Sequence, residues 1–284
     1  MFTLRQYLLA LLDSRGLTRT LGEIDVCRDE QGRPCFSAGN SAAVFRIRLG
    51  GRIRSLRCYL RPMRHLKEIY GQRLLEKELY LHTSPETGVW VDTVLGDWIE
   101  GSTLHETVAQ AAALRDRESL QILVRLFDRL ALALVTDDRA HGDLKPENII
   151  VGDDGTLCPI DFDASYLPAF AGEISPELGT AAYQHPARTA ADFDERIDDY
   201  PAALISTALH ALAEDPTLWD RYGSSDGLLY TPQRIASDPA YRETLALFEK
   251  RGMAVQYRIA QLLTAPTLRL FGLAELLAEA GREK

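Results

Sequence analysis

The stretch HGDLKPENIIV at 141–151, followed by PIDFD at 159–163, constrains this chain more than any other feature. Short apolar runs, ENIIV and TLCPIDF, flank the turn GDDG and read as two strands. Around them stand an aspartate, a lysine and an asparagine, Asp143, Lys145 and Asn148, and then Asp161. A strand-ending aspartate and an asparagine supply the hard oxygens that Mg²⁺ takes, and a lysine two residues from a carboxylate neutralises phosphate charge beside a base. Transfer of a γ-phosphoryl group needs these parts, because the protein's work there is mainly positioning and charge stabilisation.

The rest of the chain has to supply a frame for them. Its 284 residues suffice for one large core or two modest lobes, and 46% hydrophobic with 26% charged is a globular composition. A net charge of −9 argues against a nucleic-acid binder, whose affinity rests on Lys and Arg. Cys27, Cys35, Cys58 and Cys158 form no CxxC pair, which predicts reduced thiols and a cytoplasmic setting. MFTLRQYLLALLDSRG is too short in its apolar part to span a bilayer and precedes no small-residue cleavage site. It reads as an amphipathic helix with Leu4, Leu8, Leu11 and Leu12 near one face; no other apolar run approaches membrane length, so no membrane partner is expected.

From 21 to 60 the pattern is β-like, with a hairpin at Gly50-Gly51. Residues 65–82, HLKEIYGQRLLEKELYLH, are rich in helix formers, and VWVDTVLGDWIEG returns to strand. Beyond Gly101 the composition turns helical: STLHETVAQAAAL opens at an N-cap, Ser102 or Thr103, and RESLQILVRLFDRLALALV carries Leu120, Leu123, Phe127, Leu130 and Leu134 at helical spacing. From IDDYPAALISTALHAL onward the chain reads as helix. A β-rich part at 1–98 and a helical part at 99–284 are therefore expected, and junctions of this kind are frequent ligand clefts.

HGDLKPEN resembles the catalytic loop of the protein-kinase superfamily, H-x-D-x-K-x-x-x-N, with the metal-binding aspartate following in IDFD. The resemblance implies an α+β, bilobal protein-kinase-like fold with a small β-rich N-lobe and a larger helical C-lobe. It implies ATP and Mg²⁺ as cofactors, Asp143 as the base that orients the acceptor hydroxyl, Lys145 on the γ-phosphate, and Asn148 and Asp161 as metal ligands. GTAAYQHPAR resembles the end of an activation segment, with Pro186 near the place of the family's A-P-E proline. Asp198 in RIDDYPAAL is the candidate for the buried aspartate that steadies the catalytic loop, an ordinary helix N-cap being the alternative.

Upstream, SAGNSAAV is similar to the glycine-rich loop G-x-G-x-x-G-x-V, with Gly39 and Val44 retained. RIRSLRCYL corresponds to the strand that carries V-A-I-K, which places Ser55 near adenine and Arg57 where the family has lysine. Strand alternation puts Ile53, Ser55, Arg57 and Tyr59 on one face and Leu56, Cys58 and Leu60 on the other. Arginine keeps the charge, but its planar fork is not an ammonium. Its carboxylate partner is expected on the following helix, where Glu68, Glu76 and Glu78 compete and Glu68 is preferred, the other two reading as a solvated face. VLGDWIEG resembles the interlobe hinge, with Asp97, Trp98 and Ile99 meeting adenine through the backbone and Gly96 at the gatekeeper place; Trp98 reads equally as a core anchor.

Two departures stand out. Gly142 occupies the place of an arginine that in many kinases grips an activation-segment phosphate, so activation independent of phosphate on Ser165, Tyr166, Ser175, Thr180 or Tyr183 is expected. D-F-G appears as D-F-D, with Asp163 replacing a flexible glycine and standing close enough to suggest a further metal contact. The leading expectation is an ATP-dependent serine/threonine-type kinase acting on a protein or small-molecule hydroxyl. Alternatives are a pseudokinase serving as a nucleotide-binding scaffold and a small-molecule kinase of the same superfamily. Glu147 is expected either to meet a basic peptide residue or to pair with Arg188.

Overall fold

The computed structural model describes residues 1–282. Contacts cluster into two compact units, Met1–Ile99 and a second from Glu100 onward. The first is β-rich and the second mainly helical, the α+β organisation of a protein-kinase-like fold.

In the first unit, α1 (Leu4–Leu12) starts from a capping box in which Thr3 and Gln6 satisfy each other's amides. Strands β1 (Asp25–Val26), β2 (Phe36–Ala38), β3 (Ala42–Leu49) and β4 (Arg52–Tyr59) precede the short helix α2 (Leu66–Tyr70), and β5 (Leu74–His82) and β6 (Gly88–Asp97) follow it. They form one antiparallel sheet in the order β1-β3-β4-β6-β5, with β2 also on β3. Gly50 and Gly51, both at positive φ, make the β3–β4 turn. Phe45, Ile47, Leu56 and Cys58 point into a core shared with Tyr7, Leu11, Leu79 and Leu81. Leu4, Leu8 and Leu11 of the helix turn toward this core as their spacing predicts, joined by Tyr7 and Ala10, while Leu12 departs from that face and is 46% exposed. The Tyr7 hydroxyl anchors this face by donating to the Tyr59 carbonyl at 2.6 Å.

Residues 65–82 are not one helix. Helix α2 ends at Tyr70, and 74–82 pair with β6 across a bulge at Leu75–Leu79, where Lys77 takes φ 51°. Leu, Lys and Glu favour helix only weakly, and burying Leu79 and Leu81 while completing a ladder outweighs that preference. Glu78 consequently lies on a strand, buried, rather than on a solvated helical face. Its carboxylate accepts from the amides of Arg19, Thr20 and Leu21 and from the Thr20 hydroxyl.

The second unit opens with β7 (Gly101–Thr103), whose Thr103 forms the capping box of α3 (Leu104–Ala113). The long α4 (Arg117–Thr136) is capped by Asp116, and β8 (Ile149–Gly152) and β9 (Leu157–Pro159) join β7 in a three-stranded sheet of order β7-β8-β9. Then come α5 (Asp199–Glu214), α6 (Leu218–Tyr222), α7 (Pro239–Arg251), α8 (Ala254–Leu262) and α9 (Leu273–Ala280), with a 3₁₀ segment at Pro232–Ser237. Every residue of α5 from Asp199 to Ala213 is buried, so this helix is the axis on which α4 and the other helices pack. No helix among the described residues is long and apolar enough to cross a membrane.

Two stability predictions follow from the buried acids. Glu78→Ala leaves the amides of Arg19, Thr20 and Leu21 without their part-buried acceptor and lowers stability by about 2 kcal/mol in urea titration. Asp199, whose carboxylate accepts from the Leu270 amide at 3.1 Å, has its pKa pushed up to about 6 chiefly by burial. The folded chain thus holds this proton more tightly than the unfolded chain, and stability falls as pH rises through the window from about 4 to about 6. Asp199→Asn keeps the acceptor and removes the charge. The variant gains at most about 3 kcal/mol over the parent at pH 7.5, and thermal denaturation shows the gap closing by pH 4.

Candidate active site

The loop after α4 is held from below by one carboxylate. Asp198, completely buried at the start of α5, accepts from the His141 amide and, at 3.0 Å, from the Gly142 amide. It makes no cap bond to its own helix, so it belongs to the loop and not to α5. Burial pushes its carboxyl pKa up, against the opposing pull of His141, the two amides and Arg188. The His141 ring spans to the other limb of the site: Nε2 lies 2.7 Å from the Ile160 carbonyl, and Nδ1 accepts weakly from the Asp143 amide at 3.4 Å. That pair of contacts selects the tautomer with the proton on Nε2.

Gly142 has a steric explanation. Its φ is 80°, and a Cβ there would sit 2.0 Å from the Ala164 carbonyl oxygen, a backbone atom with no freedom to withdraw. The close approach packs the loop after α4 against the 3₁₀ turn Phe162–Ala164 that follows Asp161.

Around Asp143 three donors converge. The Thr180 amide donates to Oδ1 at 2.6 Å, Asn148 Nδ2 to Oδ2 at 3.2 Å and to the Asp143 carbonyl at 2.9 Å, and Lys145 Nζ stands 3.4 Å from Oδ2. Lys145 also donates to the Thr180 hydroxyl at 2.8 Å, closing a ring of Asp143, Lys145 and Thr180. Gly179, at φ 71°, makes the approach possible, since a Cβ would fall 2.7 Å from the Gly142 carbonyl and 3.0 Å from Asp143 Oδ1. Neither Gly179 nor Thr180 is singled out for this site by sequence, where Thr180 reads only as a hydroxyl open to modification. A Gly-Thr pair opening the segment before Pro186 is the one signal they leave.

Asn148 spends its amide hydrogens on Asp143, which leaves Oδ1 for a cation, and its own carbonyl receives the Ile160 amide at 2.9 Å, next to Asp161. Asp161 has φ 68°, one of four non-glycine residues in the left-handed region among the described residues; such strain in an acid beside the loop 141–148 is a sign of function. Asp163 is buried, and its backbone is ordinary right-handed 3₁₀ helix, so D-F-D imposes no strain that glycine would relieve. Among the described residues no three His, Cys, Asp or Glu side chains cluster as a metal cage. Two oxygen donors fit Mg²⁺, which keeps waters and substrate phosphates for its remaining positions.

In the first unit, Val44, Ser55 and Arg57 share the sheet face opposite the core: Val44 pairs with Arg57 across β3–β4, and Ser55 with Gly96 across β4–β6. A Cβ on Gly96 would lie 2.8 Å from Ser55 Oγ, and that hydroxyl donates to the Asp97 carbonyl at 3.1 Å. The Arg57 guanidinium lies over Tyr59. Gly39 closes the β2–β3 hairpin through its amide to the Ala42 carbonyl, at a φ that any residue adopts. Trp98 is half-buried beside the Arg46 guanidinium, so it is not a fully buried anchor, and Ile99 is half-buried. Glu68 is exposed on the five-residue α2, and Glu76 is engaged by Lys67 at 3.6 Å. Glu78 faces the 19–21 loop, which removes it as a partner for Arg57.

Glu147 does not pair with Arg188. Its Oε2 is enclosed without a hydrogen bond, while Arg188 reaches the Gly142 carbonyl at 3.0 Å and the Gln184 side chain.

Over 172 residues the chain is 28% identical to CBL-interacting protein kinase 17 of Oryza sativa subsp. japonica, covering 57% of this chain and 35% of that one. It is 34% identical over 113 residues to serine/threonine-protein kinase PknL of Mycobacterium tuberculosis, covering 38% and 27%. Serine/threonine-protein kinase chk1 of Schizosaccharomyces pombe is 25% identical over 160 residues, covering 55% and 31%. The chain thus spans roughly a third, or less, of each relative's length. No family model matches. Similarity to several serine/threonine kinases, modest and partial, supports the protein-kinase superfamily.

Because the obstruction at Gly142 is backbone, Gly142→Ala is expected to lower the melting temperature, with a loss of about 2–3 kcal/mol from overpacking and left-handed strain. Gly155→Ala, at a similar φ but with nothing within 4 Å, measures the strain alone and loses less.

Proposed function

We propose that this chain is an ATP-dependent phosphotransferase of the protein-kinase type, moving the γ-phosphoryl group of MgATP onto a serine or threonine hydroxyl. The observation that carries this reading is the ring of Asp143, Lys145 and Thr180, with Asn148 bonded to the same carboxylate. A carboxylate fixed from three sides is oriented before substrate arrives, which is what positioning catalysis requires. In the reaction the acceptor oxygen bonds to the γ-phosphorus as the bond to the β–γ bridging oxygen breaks. The hydroxyl proton passes to Asp143, and ADP departs with the electron pair. Lys145 supplies positive charge next to the base, where the transferring group gathers negative charge. Asn148 and Asp161 are the residues that would hold magnesium, whose chemistry is to neutralise phosphate charge. On the first unit, Gly39, Val44, Ser55, Arg57 and the backbone of Asp97, Trp98 and Ile99 are the proposed nucleotide contacts, with Glu68 the proposed partner of Arg57.

A nucleotide-binding scaffold is the second reading, and the arginine at 57 favours it, because a guanidinium does not reproduce an ammonium at a fitted phosphate site. Protein acceptors are preferred over small alcohols because the similar proteins are serine/threonine kinases.

Millimolar MgATP is expected to raise the melting temperature by mass action. Radiolabelled ATP is expected to label a generic protein substrate but not a panel of small alcohols, and Asp143→Asn is the blank. Lys145→Ala should reduce kcat about 10²–10³-fold. No shift with MgATP would sink both transfer and nucleotide binding; a shift without transfer would leave the scaffold.

Independence from activating phosphate has support in the placement of the segment's hydroxyls. Ser165, Tyr166, Ser175 and Tyr183 are buried, and Thr180 is bonded to Lys145. Replacing all five together would therefore damage the core and the catalytic ring, and does not test regulation. Phosphatase treatment does: the treated chain is expected to keep its full transfer rate, and a loss restored by rephosphorylation would refute the idea.

A further inference from the structure

We infer that Arg188 is a positioning residue of the catalytic loop, an internal cation that locks the segment 179–188 onto the carbonyl preceding Asp143. The inference rests on the reading of Asp143 as the base, and it names what holds that base in place.

Arg188 is 9% exposed, an uncommon degree of enclosure for a guanidinium. Its Nη1 donates to the Gly142 carbonyl at 3.0 Å and to Gln184 Oε1. Among the described residues no carboxylate comes within ion-pair distance of it; Asp198, Asp143, Asp192 and Asp194 favour its charge through space, while burial lowers its pKa. Its Nε and Nη2 are enclosed without partners. Leaving such donors unpaired is unfavourable, and a shorter apolar side chain would avoid it.

What the charge does is legible from its neighbours. Asp198 and Asp143 are the two carboxylates that organise the loop, one beneath it and one in the ring, and both sit within the field of Arg188. The Gly142 amide goes to Asp198 and its carbonyl to Arg188, so the peptide units on both sides of Gly142 are held. Eight residues earlier in the same segment, Thr180 holds the Asp143 carboxylate. Segment 179–188 is thus fastened to the loop at both ends, at Thr180 and at Arg188. Gly142 itself has no side chain with which to recruit a counter-ion, and the Ala164 carbonyl forbids one. The cation arrives instead from the far end of the segment, present in every copy of the chain and needing no modification.

The test uses the full chain with Arg188→Met, which removes charge and fork, and Arg188→Lys, which keeps the charge. Amide hydrogen exchange of Arg188→Met is expected to accelerate about tenfold or more at Gly142 and Thr180 while the α4 amides stay protected, because local opening is separable from global unfolding. Unchanged exchange at Gly142 and Thr180 would overturn the inference. In steady-state transfer, kcat is expected to fall about 100-fold with the ATP KM within about twofold, and Arg188→Lys to recover part of kcat, as suits a displaced base. A rise in KM alone would also overturn it. Should Arg188→Met fail to fold, ¹⁵N spectra of the parent's arginine side chains decide, with Arg188→Lys as the assignment. A guanidinium hindered in rotation supports the lock and a freely rotating one refutes it. If the parent transfers no phosphate, the functional reading falls, and the exchange data still decide the role of Arg188.

Discussion

The loop 141–148 of this chain depends on a carboxylate that no solvent reaches. Asp198 turns its oxygens to two consecutive amides, His141 and Gly142, and in doing so substitutes for the water those amides would otherwise need. A buried ionisable group of this kind is unfavourable unless its neighbours meet it fully. Burial raises its pKa, and His141, the two amides and the charge of Arg188 offset that cost in part. Its position at the head of α5 matters equally, because α5 is enclosed by the helical core and cannot shift without disturbing it.

From that anchor the rest of the site can be followed outward. Fixing His141 and Gly142 sets the direction of Asp143, and the carboxylate then meets Thr180, Asn148 and Lys145. His141 and Asn148 both bond to Ile160, which ties the loop to the strand end carrying Asp161. Close backbone contacts at Gly142 and Gly179 leave no room for side chains between these segments. The arrangement is held by packing.

The sheet unit illustrates a different balance. Its hairpin β3–β4 follows the alternation of the sequence, with Leu56 and Cys58 inward and Ser55 and Arg57 on the other side. β5 does not follow its composition, because LLEKELYLH has the residues of a helix and the partners of a strand. Glu78 shows why such a segment misleads. A glutamate in a run of helix formers reads as solvated, yet here three successive amides and a hydroxyl of the 19–21 loop converge on it.

By itself the sequence marked the candidate residues: Asp143, Lys145, Asn148 and Asp161 stand out by local order and spacing, and Asp198 through the resemblance of RIDDYPAAL to a buried helix of the family. It determined the hairpin at Gly50-Gly51 and the helical second part for the same reason, since turn chemistry and hydrophobic period act over a few residues. Only the tertiary structure decided why position 142 is glycine, that Thr180 completes the ring, and that Arg188 serves the loop and not Glu147. Each of these depends on atoms brought together from segments distant along the chain, 142 with 164, 143 with 180, 142 with 188. Close packing makes them obligatory in the folded chain, and no property of the separate segments encodes them.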